Sequence, residues 1–255
     1  MAVYLKVLFW RGVMLKVLKT LYRNEHFNPK IIGLFINPFY FARKGLHKHM
    51  SELIENLNGR LLDIGCGMKP YESICKVDEY IGLEIDDEGN RNHSFADVFY
   101  NGKIMPFEDK FFDSILSNQV FEHVFNPNEF LREINRVTKV DGLFLITVPF
   151  VWDEHEQPYD YARYSSFGLK HILSENGFEV IEHRKSNNGL EVIFQLINDY
   201  IYKVTLTNNK YVNLISMLCL MAPVNIIGLF ISKLLPNNDD LYLDNIALSK
   251  KVRDV

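Results

Sequence analysis

A chain of 255 residues, 47% of them apolar, is long enough to bury a full core and fits one α/β domain with additions better than two equal domains. Its three cysteines, Cys66, Cys75 and Cys219, have no metal-ligand spacing, and a reducing cytoplasm is the compartment they suggest. The net charge of -4 conceals an asymmetry: nine of the 28 Lys/Arg but only Glu25 of the 32 Asp/Glu fall in residues 1–50, which leaves an acidic body and disfavours nucleic acid as a partner.

Residues 1–50 read as a basic N-terminal extension. From Met1 to Arg23, apolar residues are broken by Lys6, Arg11, Lys16, Lys19 and Arg23, with no uninterrupted apolar core and no small-residue cleavage site, so a signal peptide is not expected. A basic amphipathic helix is expected instead. Its Leu5, Phe9, Trp10, Val13 and Val17 either meet a lipid interface, with the lysines toward anionic headgroups, or pack on the domain with the lysines in solvent. Asn37-Pro38-Phe39-Tyr40 and Arg43 either cap a ligand pocket or simply pack, and a helix is predicted over Arg43–Leu57.

A strand predicted over Arg60–Ile64 runs into Gly65-Cys66-Gly67, and a second over Tyr80–Ile85 carries Glu84, 17 residues past Gly67. In an open parallel sheet, ligands sit beyond the carboxyl ends of the strands, where an acid one βα unit past a glycine turn can take ribose hydroxyls. Pro70 stands where a dinucleotide fingerprint needs its third glycine, and Met68-Lys69 follows Gly67 where a phosphate loop needs Lys-Ser/Thr. The nicotinamide reading is thereby weakened and the phosphate loop excluded. Asp63, inside the turn, would repel phosphate yet can hold an ammonium group, so a ligand with an amino-acid head and a ribose fits these charges.

The remaining predicted elements are a brief strand near Ser94–Asp97, a strand over Phe112–Ser117, a helix over Pro127–Thr138 and a strand over Leu143–Val148. A helix over Ser165–Asn176, opened by Ser165 and Ser166 and closed by Gly177, precedes strands at Phe178–His183 and Leu241–Leu248. Seven strands interleaved with helices make a doubly wound α/β sheet. Tyr211–Ser232 has no charged residue over 22 positions, long enough to cross a bilayer. Pro223 near its middle, with Asn213, Ser216, Asn225 and Gly228, predicts two short helices around a break, and a spanning helix would put Leu241–Leu248 on the wrong side of the membrane. Residues 189–236 are therefore read as an apolar helical insertion, serving as a lid, a homodimer surface or a membrane-dipping hairpin, within a body of residues 51–188 plus 237–255.

Five motifs in order, Leu61-Leu62-Asp63-Ile64-Gly65-Cys66-Gly67, Tyr80-Ile81-Gly82-Leu83-Glu84, Met105-Pro106-Phe107 through Asp113, Ser117-Asn118-Gln119-Val120-Phe121-Glu122-His123-Val124 and Asp141-Gly142 through Pro149, resemble the small-molecule branch of the class I S-adenosylmethionine-dependent methyltransferases. The resemblance covers about Gly59–Arg184 and implies a seven-stranded, mostly parallel Rossmann-like sheet whose last two strands form an antiparallel edge. It implies S-adenosylmethionine as cofactor, with Asp63, Gly65 and Gly67 at the methionine part, Glu84 at the ribose and Asp97 at the adenine edge, and with Cys66, Ile85 and Asn118 also among the cofactor-binding residues. The base-methylase loop Asn/Asp-Pro-Pro-Tyr/Phe is absent after the fourth strand, where Ser117-Asn118-Gln119-Val120 stands.

Methyl transfer from a sulfonium has a neutral leaving group, so positioning in a dry pocket supplies much of the acceleration. A hydroxyl acceptor must also lose a proton, for which histidine is the best-poised side chain near neutral pH. His123 follows the fourth strand and either serves the chemistry or only orients its loop. His155 follows the fifth, in a loop that also holds Asp160, Tyr161 and Arg163. That loop is read as holding a polar substrate through Asp160, Tyr161 and Arg163 with His155 as base; alternatively Arg163 pairs with Asp160 or Glu156 and stiffens it. No metal is expected, since His155 with Glu154 and Glu156 reproduces no ligand spacing. The segment His155-Glu156-x-Pro158-x-Asp160-Tyr161-x-Arg163-Tyr164 also resembles bacterial methyltransferases of surface polysaccharide and glycolipid synthesis, which implies a sugar hydroxyl acceptor; the apolar insertion accords with a lipid-linked glycan, and the cysteine usage and basic N-terminal helix with a cytoplasmic enzyme peripheral to the inner face of the membrane. The alternatives are a quinone or other lipid acceptor, or a non-catalytic cofactor-binding regulatory or assembly subunit.

Overall fold

The computed structural model describes residues 20, 21 and 24–255, so the helix expected over Met1–Arg23 lies outside the described residues apart from Thr20 and Leu21. In chain order the helices are α1 (Gly33–Ile36), α2 (Tyr40–Ile54), α3 (Glu88–His93), α4 (Pro127–Val137), α5 (Ser166–Glu175), α6 (Leu190–Thr205), α7 (Lys210–Ser216) and α8 (Ala222–Leu234). The strands are β1 (Arg60–Ile64), β2 (Glu79–Ile85), β3 (Val98–Tyr100), β4 (Phe112–Asn118), β5 (Thr138–Pro149), β6 (Phe178–Lys185) and β7 (Asp244–Lys251). The chain divides into two compact units. One comprises the described residues up to His47 together with Gly189–Asn238, so the N-terminal segment and the apolar insertion share a unit; the other comprises Lys48–Asn188 with Asp239–Val255.

The larger unit is a doubly wound sheet of order β3-β2-β1-β4-β5-β7-β6. All neighbours are parallel except β7, which runs antiparallel to both β5 and β6. Leu61, Leu62 and Ile64 of β1 are fully buried, the near-continuous apolar run of a strand covered on both faces. In α4, Pro127 opens the helix, and Phe130, Leu131, Ile134 and Val137 form the buried stripe that docks on the sheet. Ser165 caps α5 as predicted, its Oγ accepting from the Gly168 N–H at 3.2 Å, and Gly177 follows the helix at φ +82°.

Three predicted elements are displaced. The third strand lies at Val98–Tyr100 instead of Ser94–Asp97, because Ser94 instead closes α3, its hydroxyl donating to the Asn90 carbonyl at 2.7 Å. The last strand continues to Lys251, beyond the predicted Leu248. A terminal lysine reads as a solvated tail, yet Lys251 is fully buried, its Nζ donating to the carbonyls of Asn135 at 2.6 Å and Thr138 at 2.9 Å, where α4 ends. The predicted break at Pro223 is also absent: Lys210–Leu234 is one helix of 25 residues. A π turn at Met217–Met221, closed by the Ala222 N–H on the Met217 carbonyl, widens the helix just before Pro223 and removes the demand for the proline's missing donor.

In the smaller unit this long helix turns Asn225 inward. Asn225, 1% exposed, donates to the carbonyls of Leu34 at 3.0 Å and Asn37 at 3.2 Å and accepts from Asn198 of α6 at 2.7 Å. Gly228 lets Phe194 approach, since a Cβ there would lie 2.6 Å from the Phe194 ring. Ile226, Ile227, Phe230 and Leu234 point outward and are exposed.

Candidate active site

The glycine turn is built where β1 ends. Gly65 takes φ +69°, and a Cβ there would fall 2.3 Å from Cγ2 of Val120, so only glycine lets the turn lie against the β4 loop. The Gly67 N–H donates to Glu84 Oε1 at 2.8 Å, which ties the turn to the end of β2, and nothing lies within 4 Å of where a Gly67 Cβ would be. Burial raises the Glu84 carboxyl above its ordinary range, against the lowering effect of the Gly67 N–H.

A cleft opens at this point, lined by Gly65, Glu84, Ile85, Tyr100, Lys103 and His123, among others. It lies at the carboxyl ends of β1, β2 and β3, where a doubly wound sheet binds its ligands. A roomier cleft lined by Arg132 and His171 lies against α4 and α5 and includes none of the motif residues.

The other motif residues support the turn from behind. Asp63 accepts from the Tyr80 hydroxyl at 2.5 Å, and burial pushes its carboxyl up to about 7. Cys66 is buried against Gly82, and its thiol is pushed up to about 12 by that burial. Asp97 precedes β3 and accepts from Lys69 Nζ at 2.5 Å and from the Gly82 N–H at 2.7 Å. Asn118 Oδ1 accepts from the Thr147 hydroxyl at 2.9 Å. None of these four lines the cleft, whereas Tyr100, Gly102 and Lys103, which sequence reasoning passed over, do. Their signal was the turn residue Gly102 directly after β3.

The two predicted histidines come together. Their rings meet edge to face with centroids 4.9 Å apart. His123 belongs to the 3-10 turn Phe121–His123 after β4, and its Nδ1 lies 2.9 Å from the Tyr159 carbonyl. His155 Nδ1 lies 3.2 Å from the Asp153 carbonyl and 3.3 Å from Asp160 Oδ2. Between the rings stands Glu122, absent from the sequence-predicted set. It is fully buried, and burial pushes its carboxyl up to about 8. The backbone around it is fixed by the loop after β5, since the Tyr161 and Ala162 N–H groups both donate to the Glu122 carbonyl, at 2.9 and 3.2 Å.

Arg163 and Asp160 hold each other in a bidentate pair at 2.5 and 2.7 Å, and Arg163 also donates to the Asp153 carbonyl at 2.8 Å. The guanidinium holds the Asp160 carboxyl down at about 2. Both side chains are thus engaged inside the loop, the stiffening arrangement. Tyr161 is partly exposed and stands edge-on to Phe125 of the cleft wall, ring centroids 5.2 Å apart.

Over 97 residues the chain is 34% identical to the uncharacterized protein MJ1252 of Methanocaldococcus jannaschii, a stretch that is 36% of this chain and 38% of that protein. It spans 38% and 54% of the lengths of the curated relatives it matches. Among solved structures, an S-adenosylmethionine-dependent methyltransferase from Mesorhizobium loti superposes with a TM-score of 0.51 at 9% identity, covering 82% of this chain and 99% of that one. Phosphoethanolamine N-methyltransferase 2 of Haemonchus contortus, in complex with S-adenosyl-L-methionine, superposes with a TM-score of 0.50 at 15% identity over 90% of this chain and 59% of that one. These likenesses concern the fold. Residues 37–183 match the methyltransferase domain family, and because that match runs from Asn37 through the glycine turn and both histidines to His183, over more than half of the chain, the protein belongs to this family.

Proposed function

We propose that the protein is an S-adenosylmethionine-dependent methyltransferase that methylates a hydroxyl of a small molecule, most specifically a sugar hydroxyl of a lipid-linked glycan. The observation that carries the acceptor reading is His123, which lines the cleft beside Glu84 with the His155 ring against it, since a hydroxyl must lose its proton as it is methylated and imidazole is suited to take it near neutral pH. Gly65, Gly67, Glu84 and Ile85 are suited to hold the cofactor, with open space over Gly67 and a carboxylate placed for ribose hydroxyls. When bound, the cofactor supplies an electrophilic methyl group. Asp63, Cys66 and Asp97 keep the turn and β2 in register behind it, and the Arg163–Asp160 pair positions His155. The lipid-linked part rests on the smaller unit, whose long helix turns Ile226, Ile227, Phe230 and Leu234 outward.

Calorimetric titration with S-adenosylmethionine, S-adenosylhomocysteine and a nicotinamide dinucleotide tests the cofactor, and binding of the first two alone is expected. Release of S-adenosylhomocysteine is then compared for lipid-linked saccharides and for quinones in detergent. Turnover with quinones alone would replace the sugar by a lipid acceptor, and cofactor binding without turnover on either would favour the regulatory subunit.

A further inference from the structure

Among the described residues with buried polar atoms left without a partner, Glu122 is the one with both carboxylate oxygens in that state. It is fully buried, and apart from its own backbone N–H neither carboxylate oxygen has a hydrogen-bond partner. Buried polar groups without partners are rare and point to something that completes them. What surrounds Oε1 is two imidazole nitrogens, His123 Nε2 and His155 Nε2, each at 3.9 Å. That is too far for a hydrogen bond, and it sets three possible ligand atoms around one small space.

The opposite side of each ring fixes what these nitrogens present. His123 Nδ1 faces the Tyr159 carbonyl, and His155 Nδ1 faces the Asp153 carbonyl and Asp160 Oδ2. These are acceptors, so the ring protons belong on Nδ1 and both Nε2 atoms offer lone pairs. Arg163, 3.4 Å from His155 Nδ1, already spends its charge on Asp160. An imidazole whose far nitrogen is hydrogen-bonded to a carbonyl or carboxylate is the standard support for a metal ligand.

We propose that Glu122, His123 and His155 bind a divalent transition-metal ion of the zinc class. Their ligand atoms all lie within 4.8 Å of one another. Metal bonds of about 2.0–2.2 Å in a tetrahedral set place ligands about 3.4 Å apart, so closure takes side-chain adjustments of about half an ångström at the Glu122 contacts and up to about 1.4 Å at the widest separation. Two imidazoles and one carboxylate favour zinc, cobalt, iron or nickel over magnesium or calcium. Three protein ligands leave a position open. His123 also lines the cleft, so that position adjoins the space assigned to the acceptor; Glu156, with Oε2 3.6 Å from His123 Nε2, flanks it. The set differs from the adjacent residues of the His155 loop, which the sequence reading rejects as ligands: its carboxylate comes from the β4 loop.

The inference rests on the proposed acceptor site and changes the role of its histidines from direct proton acceptors to ligands of an ion that would acidify a hydroxyl at the open position, but its test does not read methyl transfer. The 255-residue chain is stripped with a chelator and titrated with cobalt(II), followed by visible absorption and by metal analysis after gel filtration, with S-adenosylmethionine affinity measured in parallel. One equivalent of cobalt is expected, with the intense visible bands of a low-coordinate site, displaced by zinc and not by magnesium. Glu122→Gln and His155→Ala are each expected to weaken cobalt binding at least tenfold while changing S-adenosylmethionine affinity less than twofold. Wild-type protein that binds S-adenosylmethionine but no stoichiometric cobalt would overturn the site, as would unchanged cobalt affinity in both variants. An incorrect acceptor assignment would leave the cobalt titration untouched, so the two failures are distinguishable.

Discussion

The Gly67 N–H and the Glu84 carboxylate, 2.8 Å apart, make the glycine turn and the end of β2 a single piece. Residues that the sequence separates by a whole βα unit are one wall of the cleft.

Gly65 fixes the shape of that wall, and adding one carbon tests it. Gly65→Ala would place a methyl group 2.3 Å from Val120 at φ +69°. A loss of about 1–3 kcal/mol in stability is expected, with S-adenosylmethionine affinity falling more than tenfold. Urea unfolding and calorimetry check the two separately.

The buried Asp63 carboxyl makes stability depend on pH. With its value raised to about 7 in the folded protein, against an ordinary value of about 3.9, the folded state keeps a proton that the unfolded chain has released. The contribution of Asp63 to stability is therefore full below about pH 4 and declines as pH rises toward about 7. Asp63→Asn is expected to flatten this decline, read as urea midpoints at about pH 5 and about pH 8. The same drop in both proteins would contradict the assignment.

Asn225 anchors the long helix within the smaller unit. Asn225→Ala removes both donors to the Leu34 and Asn37 carbonyls and the acceptor of Asn198. About 1–3 kcal/mol is expected for each stranded buried group, and limited proteolysis should cut first within Gly189–Asn238. Uniform resistance would mean that the amide network contributes little.

The outward face of the same helix carries the lipid proposal. Ile227→Glu combined with Phe230→Glu changes two exposed positions and is expected to reduce co-sedimentation with anionic vesicles, with S-adenosylmethionine affinity unaltered. Deleting residues 1–23 should act in the same direction. Vesicle binding that survives both changes would remove the membrane from the proposal.

The doubly wound sheet and the glycine turn were legible because their signals are local: apolar runs of strand length, glycines at positive φ and an acid on the next strand. The placement of Asp97 was not, since it depended on a strand that starts at Val98, just past the predicted Ser94–Asp97. Glu122 was invisible for a different reason. In the sequence it is one acid in a polar turn beside His123, and its burial follows from Tyr161 and Ala162 docking on its carbonyl, a contact between distant loops. Arg163 was legible as a charged residue in a functional loop, but its choice between substrate and Asp160 is made by geometry. The helix through Pro223 depends on a π turn that no hydrophobic period announces.

The position of β7 between β5 and β6 has a temporal consequence. β6 ends at Lys185, but its partner β7 begins only at Asp244, after the whole of the smaller unit's second segment. At about 5–20 residues per second, several seconds of synthesis separate the two. During that interval β5 offers an open edge and β6 has no strand to join, a window in which a nascent chain is exposed to mispairing and in which a chaperone has most to protect.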